Sequence, residues 1–294
     1  MGSPRSKSTD KPKFENIPFH RKYDTACFVK TGYRRYAMKF GVCSGKLSRL
    51  SAIMDAGYDY IEMNFANLAL MTEEEFAQTR DALVAAGFCA ETFNGFFKSN
   101  VVLYGESVDL DAIASYCETG FSRAAALGGK VAVLGSGGAR SVPEGMTREQ
   151  AEEQFCRVLT VCGDVALKHG MRIAIEPLRA CECNYINLVS EGAALCRRVN
   201  HPAVKLLVDF FHFWCGEEPL SHLYEAADVL IHAHLARPNL DRKMPMPEDR
   251  ETVASWAKAL RDIGYTGRLS LEGSHGDDFD ESIRRTREYL NLFS

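Results

Sequence analysis

The sequence has no apolar run approaching the roughly 20 residues of a membrane-spanning helix, and no apolar segment follows a basic start as in a signal peptide. It also has no CxxC pair and no disulfide framework of the secreted type. We therefore predict a soluble, cytoplasmic protein without a membrane partner, whose ten cysteines are reduced thiols. Cys181 and Cys183 form a lone C-x-C, which we interpret as incidental thiols, with a soft-metal site as the alternative.

The sequence lacks a strong excess of either charge, since its formal net charge is −4. A nucleic-acid partner is therefore not expected, although a local basic patch is compatible with this total. The chain has 294 residues, of which 46% are hydrophobic, and it can bury a large core. Because α/β barrels commonly use about 250 residues as one domain, we expect one large domain.

The first 37 residues differ from the rest of the chain. They carry nine Lys or Arg against three acidic residues and show no sustained hydrophobic period. A transit peptide, a nucleic-acid arm and plain disorder are the alternatives, and Met38 is a further candidate for the natural start because folded-looking sequence, MKFGVC, begins there. We treat residues 1–37 as an extension that is flexible or not native, and residues 38–294 as the folded domain.

From Met38 onward one unit recurs: a helical pattern, a residue suited to a left-handed cap, and a short strand pattern. The recurring segments are DAGYDYIEM, AAGFCAETF, ALGGKVAVLG, KHGMRIAIE, RRVNHPAVKLLVD, EAADVLIHAH and DIGYTGRLSLE. With KFGVC as the opening strand, the total is eight strands. Strands alternating with helices indicate a parallel sheet covered by helices. We predict an α/β fold, a single-domain (β/α)8 TIM barrel, with an open doubly wound sheet as the alternative.

The clearest helix lies in TREQAEEQFCRVLTVCGDVALKHG. Thr147 and Gln150 have the spacing of a capping box at its start, and Gly170 is suited to end it. One stripe of the helix carries Phe155, Val158, Leu159, Cys162, Val165 and Ala166, which predicts its buried face.

Four consecutive strands, the fifth to the eighth, end on a side chain that can ligate a metal. These are Glu176 in IAIE, Asp209 in LLVD, His234 in IHAH and Glu272 in LSLE. The carboxyl ends of all barrel strands open onto one face, so these side chains should converge. A lone strand-end carboxylate is more often a cap or a loop anchor, but three carboxylates held together without a cation would repel one another. The pattern predicts one divalent metal; the oxygen-rich donors favour Mn²⁺, with Mg²⁺, Co²⁺ and Zn²⁺ as alternatives.

These residues resemble the motifs of the xylose isomerase-like barrels of the sugar phosphate isomerase/epimerase family, and in particular those of the ketose 3-epimerases. The resemblance runs from about Met38 to the C-terminus and is densest over residues 171–275. The family's E-x-x-x-x-x-E segment and the Asn after it match Glu176, Glu182 and Asn187. Its D-x-x-H, its H-x-H and its last metal ligand match Asp209 with His212, His232 with His234, and Glu272.

The resemblance implies a metal-dependent epimerase that removes a proton next to a carbonyl. Glu176, Asp209, His234 and Glu272 would hold the metal. Glu176 and Glu272 would also form the acid–base pair on opposite faces of the sugar. The implied substrate contacts are Glu182, His212, Arg242 and Asn187. We add Glu62, at the end of the second strand, as a pocket residue, with a position that simply faces water as the alternative. Relatives of this kind are often homodimers or homotetramers.

The chain departs from the ketose 3-epimerase pattern at two places. After H-x-H it has LARPNLDRKMP in place of a compact G-E-x-N-R segment, so the family's arginine corresponds to Arg237 or Arg242. We prefer Arg242 because the RKMP at this point resembles the family's continuation. The first strand ends in GVCSG, without the usual aromatic residues. The expected partner is therefore a small sugar or sugar derivative whose identity and phosphorylation the sequence leaves open.

Other functions are compatible with parts of this pattern. A hydroxypyruvate-type isomerase or a dehydratase or lyase would also begin with metal-assisted proton abstraction next to a carbonyl. Apurinic-site endonucleases share the barrel and these ligands, but they need extra histidines at strands two and three, where this chain has IEMNF with Glu62 and ETFNGFF with Glu91. A non-enzymatic binding protein is the third alternative.

Two weaker features flank the predicted site. We interpret GSGGAR, residues 135–140, as a turn loop beside the pocket, with an anion cradle that includes Arg140 as the alternative. His275 lies three residues beyond Glu272 and is a candidate rim contact.

Overall fold

The computed structural model describes residues 38–293, which form a closed barrel of eight parallel strands. The strands are β1 (Lys39–Cys43), β2 (Tyr60–Asn64), β3 (Ala90–Asn94), β4 (Val131–Leu134), β5 (Arg172–Ile175), β6 (Val204–Asp209), β7 (Leu230–Leu235) and β8 (Arg268–Leu271). The barrel closes because β1 pairs with β8, with Phe40 opposite Leu269. The predicted (β/α)8 barrel is therefore confirmed and the open doubly wound sheet is excluded. Residues 1–37, with the predictions made for them, lie outside the described residues.

Helices connect the strands and cover the barrel. They are α1 (Leu50–Asp55), α2 (Phe65–Leu70), α3 (Glu73–Ala86), α4 (Leu110–Ala126), α5 (Gly137–Arg140), α6 (Arg148–Lys168), α7 (Val189–Val199), α8 (Phe210–Cys215), α9 (Ser221–Glu225), α10 (Arg250–Asp262) and α11 (Phe279–Leu290). Single 3₁₀ turns span Leu47–Arg49, Pro247–Asp249 and Asn291–Phe293. The short helices α2 and α8 follow their strands directly and lie at the carboxyl end of the barrel.

Helix α6 forms where the sequence pattern predicts it. The Thr147 side chain accepts from the Gln150 amide and the Gln150 side chain accepts from the Thr147 amide, which completes the capping box. The predicted stripe from Phe155 to Ala166 is buried. Gly170 follows with a φ of 66°, and Asn200 ends α7 with a φ of 47°, so both caps adopt the left-handed conformation that the pattern predicts.

The inside of the barrel is divided into an apolar and a polar half. Val131, Val133, Ala174 and Leu207 pack together on the β4–β6 side. On the other side, β2, β3, β7 and β8 direct Glu62, Thr92, His232 and Ser270 inward, where they are buried and hydrogen-bonded to one another. The larger apolar core lies between the strands and the surrounding helices. The polar half of the barrel lies directly beneath the candidate site.

The structure describes nine of the ten cysteines. Eight are free thiols, namely Cys43, Cys117, Cys156, Cys162, Cys181, Cys183, Cys196 and Cys215. Cys89 is disulfide-bonded, so the prediction that all ten are reduced is wrong for this residue, and Cys27 lies outside the described residues. Cys183 is buried and its thiol donates to the Tyr185 carbonyl at 3.2 Å, while Cys181 is exposed. In the described part of the chain, no helix has the length and apolar character needed to cross a membrane.

Candidate active site

Four strand ends bring their metal-ligating side chains together at the carboxyl mouth of the barrel. Asp209 is the last residue of β6 and His234 lies one residue before the end of β7, whereas Glu176 and Glu272 directly follow β5 and β8. One donor atom from each of the four lies within 4.8 Å of those of the others. The convergence predicted from the strand ends is therefore observed.

The Nδ1 atom of His234 is central to this cluster. It lies 3.0 Å from Glu272 Oε2, 3.5 Å from Glu176 Oε1 and 3.9 Å from Asp209 Oδ2. The His234 side chain has no exposed area. Three carboxylates around one imidazole nitrogen form a strongly negative pocket. This field raises the pKa of His234 well above its usual value, because Glu272, Glu62 and Glu176 together outweigh the opposing effect of burial.

Arg242 supplies a positive charge to the same cluster. Its Nη2 donates to Asp209 Oδ2 at 2.7 Å and to Glu272 Oε2 at 2.6 Å, and its guanidinium lies 4.9 Å from the centre of the Phe211 ring. Burial opposes this charge, but the carboxylates raise the pKa of Arg242 well above its usual range. Asn94, at the end of β3, donates to the other oxygen of Glu272 at 2.8 Å. Arg242 and Asn94 together fix the carboxylate of Glu272.

Asp209 has two structural partners in addition to Arg242. Its Oδ1 accepts from the Phe211 and His212 amides, at 2.7 and 3.2 Å, and thereby caps helix α8. Burial alone would raise the pKa of Asp209, but Arg242, His212 and His234 hold it well below its usual range. Asp209 is therefore ionised in a fixed orientation, with Oδ2 facing the cluster.

Glu176 is the least neutralised member of the cluster. Burial raises its pKa, and the neighbouring Glu272 and Asp209 add to this effect against the opposing influence of His234. Its Oε1 and the Nδ1 of His234 are both buried without a hydrogen-bond partner among the described residues. Unsatisfied buried polar atoms are costly, and two of them facing each other among carboxylates fit a cation between them. The cluster could hold one divalent ion through an imidazole nitrogen and carboxylate oxygens.

The other predicted substrate contacts differ in their placement. His212 is buried, its Nδ1 accepts from the Arg179 amide at 3.3 Å, and its Nε2 has no hydrogen-bond partner among the described residues. Glu182 is an exposed residue and accepts from Arg179 Nε at 2.6 Å. Asn187 donates to the carbonyls of Leu178 and Cys183, both at 2.7 Å, so its amide nitrogen is used within the loop after β5. His212 therefore has a nitrogen free for a ligand, whereas the amide group of Asn187 holds its own loop.

The structure distinguishes the two candidate arginines by their ion-pair partners. Arg237 pairs with Asp241, Glu248 and Asp249 and makes no ion pair with the cluster within the described residues. Arg242 contacts two of the four cluster residues. The sequence preference for Arg242 therefore agrees with its position beside the cluster.

Glu62 and Glu91 do not lie where the sequence interpretation placed them. Glu62 is the third residue of β2, is 1% exposed, and is enclosed beneath the cluster, so it neither faces water nor lines the pocket as an open contact. Its Oε1 accepts from Nε2 of His234 at 2.9 Å. Glu91 lies near the start of β3, at the other end of the barrel, where it pairs with Lys39 and Arg268. Both strands instead end on asparagine, Asn64 and Asn94.

Sequence reasoning missed two residues beside the cluster. Asn94 lies within ETFNGFF and is not ionisable, so the pattern of ionisable strand ends does not include it. Cys43 ends β1, and its sulfur lies within 4.8 Å of donor atoms of His234 and Glu272. Burial, together with Glu62 and Glu272, raises the pKa of the Cys43 thiol well above its usual value, so the thiol is neutral.

The loop after β4 supports Glu176 from behind. Arg140, at the end of α5, is fully buried, and its Nη1 donates to the main-chain oxygen of Glu176 at 2.8 Å. A Cβ atom on Gly135 would lie 2.3 Å from Oε2 of Glu176, so this glycine leaves room for the carboxylate. GSGGAR is therefore a loop that packs against Glu176, and Nε and Nη2 of Arg140 are buried without a hydrogen-bond partner among the described residues. His275 packs edge-on against Phe279, with ring centres 4.6 Å apart.

The sequence matches the model of the xylose isomerase-like TIM barrel family over residues 50–291. The chain therefore belongs to this family. A probable ketose 3-epimerase of Synechocystis sp. is 28% identical over 116 residues, which are 39% of each chain. A D-psicose 3-epimerase of Agrobacterium fabrum is 32% identical over 110 residues, which are 37% of each chain.

The fold is also similar to that of a solved D-psicose 3-epimerase studied in the presence of D-fructose. The TM-score is 0.75 at 21% identity, and the match covers 87% of this chain and all of the other chain. At this level of identity, the similarity shows a shared fold only. In sequence, the chain spans less than two-fifths of the length of the curated relatives named above. Membership of the family is thus shown by the family model, which spans residues 50–291.

Proposed function

We propose that the protein is a divalent-metal-dependent sugar epimerase or isomerase that removes and returns a proton next to a carbonyl, as a ketose 3-epimerase does. The observation that carries the proposal is the cluster of Glu176, Asp209, His234 and Glu272, in which donor atoms from four strand ends lie within 4.8 Å of one another. The relatives that are ketose 3-epimerases support the same class of reaction.

The four cluster residues would hold the metal. Their donors are one imidazole nitrogen and three carboxylates, which suit Mn²⁺ best, with Mg²⁺, Co²⁺ and Zn²⁺ as alternatives. When bound, the ion would act as a Lewis acid that polarises the substrate carbonyl and makes the adjacent C–H more acidic. The unpartnered Nδ1 of His234 and Oε1 of Glu176 support this assignment.

Glu176 and Glu272 would form the acid–base pair. Both carboxylates lie at the carboxyl mouth of the barrel, where a substrate at the metal would meet them. Glu272 is held by Arg242 and Asn94, so its carboxylate has a fixed direction. One glutamate would remove the proton at C3 and the other would return a proton to the opposite face.

Three further residues would orient the substrate. Nε2 of His212 is buried and free to bond a sugar oxygen. Arg242 is 28% exposed and can extend a donor towards the developing oxyanion. Glu182, at the rim, would accept from a sugar hydroxyl. We propose a small sugar as the partner, a cytoplasmic location and a homodimer or homotetramer as the assembly; nucleic acid and membrane are not proposed partners.

The test is epimerisation of a panel of free ketoses, including D-fructose and D-psicose, by protein stripped of metal and then reloaded with Mn²⁺, Mg²⁺ or Co²⁺. We expect activity only in the reloaded protein, with about one ion per chain by mass spectrometry. Glu176→Gln and Glu272→Gln should each lower kcat by at least about 100-fold, which is the lower range of acid–base catalysis. Arg237→Gln is the matched control and should retain kcat.

Full activity in the stripped protein would overturn the metal-dependent reaction. Metal binding without conversion of any ketose, together with loss of water or cleavage of a C–C bond in a β-hydroxy substrate, would replace the epimerase with a lyase on the same site.

A further inference from the structure

Glu62 is a buried carboxylate directly beneath the candidate metal cluster. Four side-chain atoms lie within hydrogen-bond distance of its two carboxylate oxygens inside the barrel. Oε1 faces Nε2 of His234 at 2.9 Å, whereas Oε2 faces Nε2 of His232 at 2.9 Å, Thr92 Oγ1 at 2.6 Å and Ser270 Oγ at 2.5 Å. The Glu62 and His234 side chains have no exposed area. Such a fully satisfied network is rigid, because each group holds its neighbours in place.

The network extends to residues that cannot easily move. The hydroxyl of Tyr60 lies 2.8 Å from Ser270 Oγ, and the Tyr60 ring occupies the space that a Cβ on Gly41 would need, 2.2 Å away. Nδ1 of His232 lies 3.0 Å from the carbonyl oxygen of Arg268, so this nitrogen carries a hydrogen. Glu62 is thus held by side chains of β3, β7 and β8, and Tyr60 of its own strand supports Ser270.

This arrangement determines which nitrogen of His234 is available to a ligand. Nε2 donates to a carboxylate, which can only accept, and it therefore carries a hydrogen. Nδ1, on the other side of the ring, faces Glu272 and Glu176 and has no hydrogen-bond partner among the described residues. A histidine that binds a metal through one nitrogen commonly donates from the other to a carboxylate, which fixes the ring and increases its basicity.

We propose that Glu62 is a positioning residue that holds His234 with its hydrogen on Nε2, so that Nδ1 is presented to a divalent ion in the cluster. The inference rests on the proposed function, since it concerns the ion of that site. It assigns to Glu62 a role distinct from a substrate contact.

The same atoms allow one competing arrangement. Donor atoms of Glu62, His232 and His234 also lie within 4.8 Å of one another and could hold a second ion. Their present contacts are hydrogen bonds between a carboxylate and two imidazoles that are fully buried. We therefore expect one ion per chain, and two ions per chain would overturn the inference.

The experiment measures Mn²⁺ affinity by isothermal titration calorimetry on the full chain, without any sugar. Glu62→Leu removes the acceptor, and its Kd should rise about 10- to 100-fold, the usual effect of removing such a partner. In Glu62→Gln, the amide oxygen can still accept from His234 and the amide nitrogen can donate to His232, so the rise should be smaller, about tenfold or less. Glu91→Leu is the matched control: it removes another buried barrel glutamate, far from the cluster, and should leave the Kd within about twofold of the wild type.

A second measurement does not depend on whether Glu62→Leu folds. In ¹⁵N-histidine NMR of the Mg²⁺-loaded wild type, His234 should show a hydrogen on Nε2 and none on Nδ1, with the resonance assigned by its loss in His234→Asn. Glu62→Gln should keep this hydrogen. A hydrogen on Nδ1 in the loaded wild type, or an unchanged Kd in folded Glu62→Leu, would refute the inference while leaving ketose epimerisation by the wild type untouched. Conversely, Glu62-dependent metal binding without epimerisation would refute only the proposed reaction.

Discussion

Replacing Arg242 by methionine tests whether this arginine and a metal share the task of neutralising the cluster. The substitution keeps the alkyl chain beside Phe211 but removes the donor that contacts Asp209 and Glu272. Removing one partner of a fully buried ion pair costs about 3–5 kcal/mol. The Arg242 side chain is 28% exposed and that of Glu272 is 22% exposed, so a smaller loss is expected. We predict a loss of about 2–3 kcal/mol in the metal-free protein.

This loss should be visible in thermal unfolding. At about 2–4 °C per kcal/mol for a domain of this size, Tm should fall by about 4–12 °C without metal. With saturating Mn²⁺ the loss should shrink to about 1 kcal/mol or less, because the ion supplies the missing positive charge. The difference of about 1–2 kcal/mol must then appear as tighter binding, so the variant should bind Mn²⁺ about 5- to 30-fold more tightly than the wild type.

Arg237→Met is the control for this prediction. Arg237 belongs to the same loop but pairs with Asp241, Glu248 and Asp249, away from the cluster. Its loss of stability should be the same with and without Mn²⁺. The reasoning would be refuted if Arg242→Met lost equal stability in both forms, or if its Mn²⁺ affinity were weaker than that of the wild type.

Three further predictions concern individual residues of the barrel domain. Gly135→Ala places a Cβ 2.3 Å from Oε2 of Glu176 and should weaken Mn²⁺ binding about tenfold by calorimetry, whereas Gly45→Ala, with open space around its Cβ, should not change it. Burial of the ring, with a smaller effect of a nearby arginine, lowers the pKa of His275 to about 4. The unfolded chain therefore binds more protons between pH 6.5 and 4, so stability falls as pH falls through this window; denaturant titrations should show a weaker fall in His275→Gln, and an identical pH profile would contradict this. Trp256→Ala removes a side chain that is 3% exposed, so the free energy of unfolding measured in urea should fall by about 3–5 kcal/mol. A fall below about 1 kcal/mol would contradict this prediction.

The strand ends were predictable because two simple rules combine. A short apolar run identifies a buried strand, and a parallel barrel places the carboxyl ends of all its strands on one face. Glu176, Asp209, His234 and Glu272 follow from these rules without knowledge of any loop. The eight strands and the capping box of α6 were predictable from local patterns for the same reason.

The contacts of three other residues depend on information that the pattern does not contain. Glu62 lies in the middle of β2, and only the register of β2 with β3 and of β7 with β8 shows that it meets His232 and His234. The amide of Asn187 is used by carbonyls of its own loop, which spacing alone cannot reveal. Arg242 has a φ of 45° in an irregular segment, so its direction could not be derived from a periodic pattern.

The most direct test of the central claim is solvent deuterium incorporation at C3 of a ketose, followed by NMR in D₂O with protein loaded with Mn²⁺ and then quenched with chelator. The account predicts that deuterium enters C3 of both the recovered substrate and its epimer, that stripping the metal abolishes incorporation, and that Glu176→Gln and Glu272→Gln each suppress it. Epimer formation without deuterium at C3, or incorporation that persists in both variants, would contradict proton transfer by this pair of glutamates.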